Sequence, residues 1–280
     1  MLTMIRLHYD DGSGQKNLDL PIKGASPKDR FLLRSVKGLN PPNRDLYIRD
    51  YARDGGTYQG RRVGVRNVVL TIDLNPNVGL GESIKSLRET LERIAMGSLD
   101  ASPHIRLLFI YDDDEPREIS GYTETFEAEV FDAENTVQVS IVCPDPYIRR
   151  IEGVFLQHAN GWIDLPMSYP GTASVGFITT IRVNVPTSNT LTFAVDNRTM
   201  VLHHNFKEGD VVRIATMPGN RGITLLRNGV TTSIVAKLNI RSEWLTVGPS
   251  TRSLSVYGET INAKNAVFTS FAYTPLYWGA

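Results

Sequence analysis

The chain has no surplus of charge, a single cysteine and no long apolar run, and each shortage removes a class of function. Thirty lysines and arginines balance thirty aspartates and glutamates over 280 residues. A nucleic-acid binder draws most of its non-specific affinity from neutralising phosphates and so carries a basic surplus. Residues 1–150 hold 20 basic and 23 acidic side chains and residues 151–280 hold 10 and 7, which does not point to DNA. Cys143 alone cannot form an internal disulfide, and it rules out a metal site built from several cysteines of one chain. No apolar run approaches the ~20 residues of a membrane span, so no membrane insertion is expected. The opening Met1–His8 is too polar and too short for the core of a secretion signal. Synthesis in a cytoplasm follows as the expectation, and there the sequon at Asn197-Arg198-Thr199 carries no meaning.

Recognisable catalytic chemistry is missing as well. No G-x-S-x-G elbow, P-loop or H-E-x-x-H occurs, and the glycine pairs form no dinucleotide fingerprint. The five histidines are His8, His104, His158, His203 and His204. Only the last two adjoin, and on a strand they point to opposite faces, a poor geometry for one metal. The acidic run Asp112–Glu115 lacks the spaced ligands and central glycine of a calcium loop and reads as a solvated hairpin turn. Nothing selects a carboxylate pair for glycoside hydrolysis. The expectation is a protein that is not an enzyme and needs no cofactor or metal.

What is present is β-sheet patterning. With 41% hydrophobic and 21% charged residues the chain can bury enough apolar surface to fold. Ile5, Leu7 and Tyr9 alternate with polar neighbours before a turn at Asp10–Gly14. Val63 and Val65 share one parity, while Val68, Leu70, Ile72 and Leu74 share the other, which predicts a bulge near Asn67. One helix is predicted over Glu82–Met96, because Ile84, Leu87, Leu91 and Ile94 recur at helical spacing, with Gly81 and Ser83 to start it and Gly97 to stop it. Strands then follow in a meander through Arg106–Tyr111, Ile119–Tyr122, Thr125–Phe131 and Thr136–Val142.

Cys143-Pro144-Asp145-Pro146-Tyr147 breaks that pattern, since two prolines remove two ladder donors. A domain boundary is placed just beyond this motif, giving domains 1–150 and 151–280. In the second, lysine nearly vanishes and turn signals fall every eight to twelve residues, among them Asn160-Gly161, Pro186–Asn189 and Asn228-Gly229. Short strands at that spacing predict an antiparallel β-sandwich. The fold class is therefore mostly β: an α+β first domain with one main helix, then the sandwich. Residues from about Ala266 onward either finish the sandwich or return to the first domain.

Several segments in order carry a resemblance. They are Val36–Pro42, Gly60-Arg61-Arg62 with Arg66, the helix with Leu87 and Leu91, Ile119–Tyr122 and Val139–Tyr147. Later come Asn160-Gly161, Lys207–Val212, Leu226–Gly229, Ser242–Leu245 with Gly248-Pro249, and the ending Ala272–Ala280. Together they resemble siphophage distal tail proteins along nearly the whole chain, and the Cys-Pro-Asp-Pro-Tyr stretch is the most specific piece. The resemblance implies a homo-hexameric ring formed by the first domain at the virion tail tip. It further implies contacts with the tail tube protein, the tail-associated lysin or tail-tip hub protein, and in some cases the receptor-binding protein, with DNA only passing through the lumen. The sandwich would be galectin-like or carbohydrate-binding-module-like, although no galectin sugar signature stands near His203-His204-Asn205.

A closed head-to-tail interface gives a ring, and strand addition along sheet edges is one route to it. Arginine outnumbers lysine fifteen to five in residues 1–150, and arginine suits interfaces because its planar fork pairs bidentately with carboxylates. Arg61, Arg62 and Arg66 are the candidates for inter-subunit contacts or a lumen-facing ring; the alternative is that they are ordinary solvated strand residues. Cys143 is expected to pack as a small apolar residue at the domain junction. Trp162 and Trp244 are candidates for stacking on host-surface saccharide, against the alternative that they cap the sandwich core.

Overall fold

Side chains that alternate along a strand must divide between two faces, and that division builds both halves of the molecule. The computed structural model describes residues 1–10, 14–22, 29–51, 54–96, 104–128, 135–158, 165–185, 187–261 and 267–280. It divides into two compact units, Met1–Ile151 with Tyr277–Ala280, and Glu152–Leu276.

The first unit contains β1 (Leu2–Asp10), β2 (Gln15–Pro21), β3 (Phe31–Lys37), β4 (Arg44–Asp50), β5 (Gly56–Val63), β6 (Arg66–Leu74), β7 (His104–Tyr111), β8 (Arg117–Ala128), β9 (Thr136–Cys143) and β10 (Ile148–Arg150). Its main sheet is antiparallel in the order β2-β1-β7-β8-β9-β6-β3, with β10 beside β8. Val68, Leu70 and Ile72 of β6 lie opposite Ile141, Val139 and Val137 of β9, and all six are buried. Helix α1 (Ile84–Met96) lays Leu87, Leu91 and Ala95 into the same core. Fully burying Leu91 is worth roughly 2 kcal/mol. The helix starts where expected: the Ser83 hydroxyl accepts from the Ser86 amide and the Ser86 hydroxyl accepts from the Ser83 amide, a reciprocal cap. Gly97, the expected stop, lies outside the described residues.

The second unit is a sandwich of two antiparallel sheets. One has the order β11 (Val154–His158), β20 (Val267–Tyr273), β13 (Ile178–Val183), β16 (Val211–Ala215), β17 (Gly222–Arg227), β18 (Val230–Ser233). The other runs β12 (Leu165–Pro166), β19 (Ser253–Tyr257), β14 (Thr187–Val195), β15 (Arg198–Lys207). Phe177, Phe193 and Phe271 meet between them, with centroids 4.7 to 6.0 Å apart. Asn228 and Gly229 both take positive φ, which the two-residue turn between β17 and β18 requires. The last strand, β21 (Leu276–Tyr277), pairs with β10.

The mostly β class is as expected, but two local expectations fail. The parity slip near Asn67 is not a bulge: the chain leaves β5 at Val63 and enters β6 at Arg66, two strands of different sheets. Of the turn expected over Pro186–Asn189, Pro186 lies outside the described residues and Thr187 to Asn189 begin β14, with a register shift between Ser188 and Thr190.

Candidate assembly site

β4 and β5 form a two-stranded sheet of their own. An isolated hairpin is marginally stable at best in water, so this arm calls for an outside contact. Its register places Leu46 opposite Arg61 and Ile48 opposite Tyr58 on one face, and Asp45 opposite Arg62 and Tyr47 opposite Gly60 on the other. Leu46, Tyr47, Ile48 and Tyr58 are each more than half exposed. Apolar side chains on both faces of one hairpin form the kind of patch that marks an interaction site.

The arm is also basic. Residues 44–63 carry five arginines against three aspartates and no lysine, while the rest of residues 1–150 carry 15 basic against 20 acidic side chains. A basic arm beside an acidic body is self-complementary between copies, an arrangement that steers association and fixes register.

The three arginines singled out from the sequence separate. Arg61 and Arg62 are exposed and project from opposite faces of the arm. Arg66 is only 2% exposed. Its guanidinium donates from Nε to the Pro146 carbonyl (2.8 Å), from Nη1 to the Gly38 and Asn40 carbonyls (2.6 and 2.9 Å), and from Nη2 to the Trp278 carbonyl (2.5 Å). No carboxylate pairs with it among the described residues, and burial pulls its pKa below the ordinary value, with the Cys143 thiol opposing. Neither an exposed interface nor a lumen suits this side chain, because four carbonyls already use its donors.

Cys143–Tyr147 forms the turn from β9 to β10, inside the first unit. The Tyr147 amide donates to the Asp145 carboxylate (3.2 Å), which also pairs with Arg149. Cys143 is fully buried against Gly121, where a Cβ would stand 2.8 Å from its sulfur. Burial pushes the thiol up to about 11, with Arg66 pulling it down and Asp145 pushing it up. Trp244 is half-buried against the sandwich core, with the Arg221 guanidinium 5.8 Å from its ring centre. Trp162 lies outside the described residues. His203 meets the Asn239 side chain at 3.1 Å, whereas His204 packs edge-on to Phe206 with centroids 5.3 Å apart.

The sequence marks only the end of β5 as strand, at Arg61, Arg62 and Val63; the rest of the arm is exposed on both faces and carries no inward apolar set. A signal for Arg66 did exist: it shares the parity of Val68, Leu70 and Ile72, the inward set.

Residues 170–277 match the family described as siphovirus-type tail component, C-terminal domain. Among solved structures, the Dit protein of phage SPP1 aligns with a TM-score of 0.58 at 16% identity, over 96% of this chain and 98% of that one. That protein is described as a paradigm of hub adsorption apparatus in phages infecting Gram-positive bacteria. At this identity the likeness establishes a shared fold. A chain of the phage p2 baseplate in its activated conformation with strontium aligns with a TM-score of 0.40 at 11% identity, over 98% of both chains, too loosely to carry an argument. No curated protein matches the chain by sequence.

Proposed function

We propose, for a chain whose residues 170–277 match a siphovirus-type tail component domain and whose fold is that of a distal tail protein, that it is the structural hub of a long non-contractile phage tail tip. Six copies close into a ring through the first unit, and the ring joins the tail tube to the tail-tip or baseplate proteins, including those that bind the receptor. DNA passes through the lumen without specific recognition. The observation that carries this reading is the β4–β5 arm, basic and apolar on both faces, attached to an acidic unit. A head-to-tail contact of one copy's arm with the next copy's body closes when the rotation per subunit allows. A saccharide-binding role finds less support, since the Trp244 ring is engaged with the sandwich core.

The test is ring formation by the full chain at high concentration, followed by light-scattering mass and negative-stain imaging. Six-fold rings are expected for the native sequence. Reversing charge at Arg61→Glu and Arg62→Glu together should weaken assembly by about a hundredfold, the equivalent of roughly 3 kcal/mol. Rings of unchanged stability in the double variant would remove the arm from the interface.

A further inference from the structure

Both ends of the arm meet at one place. The chain enters β4 through residues 38–43 and leaves β5 through Gly64 and Val65 into Arg66. Three successive carbonyls at the entry are tied down. Arg66 holds those of Gly38 and Asn40, and the Ala280 amide donates to that of Leu39 at 3.1 Å. Gly38 has φ of +85° and could not carry a Cβ, which would stand 1.9 Å from the Asn67 carbonyl oxygen. The entry is thus pressed at Gly38 against Asn67 of β6, the strand into which the arm exits.

The segment that completes this junction is the last one in the chain. Trp278 gives its carbonyl to Arg66. Its indole stands 5.0 Å from the Tyr147 ring, and the Arg44 guanidinium lies 4.5 Å from its centre. Arg44 is the first residue of β4. A guanidinium over an indole face is attracted by the ring quadrupole, more strongly when partly desolvated. Arg44 and Arg61, at the bases of the two arm strands, both act electrostatically on the Tyr147 hydroxyl, whose pKa is raised chiefly by burial. Removing the tail would leave Arg44 without its ring contact and the Leu39 carbonyl without its donor.

We infer that residues 277–280 clamp the root of the arm and set its aim, so that an assembly-competent arm requires the tail to be seated between Arg44, Arg66 and Tyr147. Trp278 acts here as a positioning residue. The inference rests on the ring reading for its assembly consequence, but the clamp itself is a property of a single copy.

Two measurements on the full chain separate these. The first is amide exchange under dilute, monomeric conditions. Trp278→Ala should raise exchange in residues 44–50 and 56–63 at least tenfold while β6 and β9 keep native protection, since local opening is read segment by segment. Trp278→Phe, which keeps a ring for Arg44 and Tyr147, should restore most of that protection. The second is ring formation at high concentration, where Trp278→Ala should lower the yield about tenfold and Trp278→Phe should not. Unchanged exchange in the arm overturns the clamp. So does an equal rise in β6 and β9, which would make Trp278 a support of the whole unit. A loosened arm with undiminished rings overturns the assembly consequence. If the native chain makes no ring, the hub reading fails while the exchange result still decides the clamp.

Discussion

Each unit ties one arginine to a set of partners, and they do it in different ways: Arg66 is itself buried, whereas Arg227 stays partly exposed above buried Asp210. Arg66 in the first unit meets four backbone carbonyls and no carboxylate among the described residues. Arg227 in the second makes a two-pronged contact with buried Asp210, Nε to Oδ1 at 2.8 Å and Nη2 to Oδ2 at 2.6 Å, and also donates to the Asn205 carbonyl at 2.7 Å. The contrast shows in acidity: burial pulls Arg66 below its ordinary pKa, while the Asp210 hydrogen bond raises Arg227 above it. A guanidinium among carbonyls ties separate backbone segments together, whereas one facing a carboxylate fixes two side chains and becomes sensitive to acid. The first unit uses its buried cation to gather loops at the root of an arm. The second uses an ion pair to brace a sandwich.

The largest break in this comparison comes from Arg66→Met, which keeps the apolar stem and deletes five donors. Four carbonyls then lose their partner, those of exposed Gly38 and Asn40 and of half-buried Pro146 and Trp278, and an unsatisfied acceptor costs about 1–3 kcal/mol where water does not reach it. The expected loss is about 3 kcal/mol for the first unit, seen as faster amide exchange in β6 and β9, with β14 and β15 unaffected. Unaltered protection in β6 and β9 would show that the carbonyls find water readily and that the cage is incidental.

A smaller effect should appear in the second unit on acidification. Burial pushes the Asp210 carboxyl up, but hydrogen bonds from Arg227 and the Lys207 amide, with the charges of Arg227 and His204, bring it below the usual range. Because its folded pKa lies below the unfolded value near 3.9, this stabilisation is complete above about pH 4 and lost as pH falls through the lower folded value. His204 acts earlier. Burial, then Arg227 and Lys237, hold its ring below the ordinary imidazole value, with Asp210 opposing, so stability starts to decline below roughly pH 6.5 as the unfolded state takes up the proton first. Exchange in β14–β17 followed from pH 7 to pH 3 should therefore rise in two stages. Asp210→Asn should erase the lower stage at a cost of about 3 kcal/mol, the low end for a broken buried pair because Arg227 stays partly exposed. A single-stage profile in the native chain would mean that Asp210 does not govern the acid limb.

The sequence showed the bracing elements more readily than the gathering ones, and the reason is physical. Strands β7, β8 and β9 and helix α1 each bury one face, so their apolar side chains recur at periods of two and near 3.6. β4 and β5 bury neither face, so no inward apolar set marks Arg44–Asp50, and of Gly56–Val63 only the end with Arg61, Arg62 and Val63 reads as strand. Arg66 shares with Arg61 and Arg62 the planar fork that suits an interface, and only its parity with Val68 sets it apart. The carbonyls that accept from it lie 26 to 212 residues away in sequence, and no local pattern announces such a set. The tail was ambiguous for the same reason: β20 belongs to the sandwich while Tyr277–Ala280 belong to the first unit, and the division falls within β21.

The smallest effect is also the sharpest probe of the first unit. Cys143 sits opposite Arg66 in the β6–β9 register, fully buried, with its thiol pushed up to about 11 chiefly by burial. At pH 8 only about one thiol in a thousand would be ionised, and the thiolate is the reactive form. An aromatic disulfide reagent should therefore leave Cys143 unmodified in the native chain and modify it at the rate at which β6 and β9 open. In Arg66→Met that rate should rise together with exchange in those strands, whereas in Asp210→Asn it should not change. Prompt labelling of the native chain at pH 8 would place the Arg66 end of the β6–β9 ladder in contact with water and undo the contrast between a carbonyl-caged cation and a paired one.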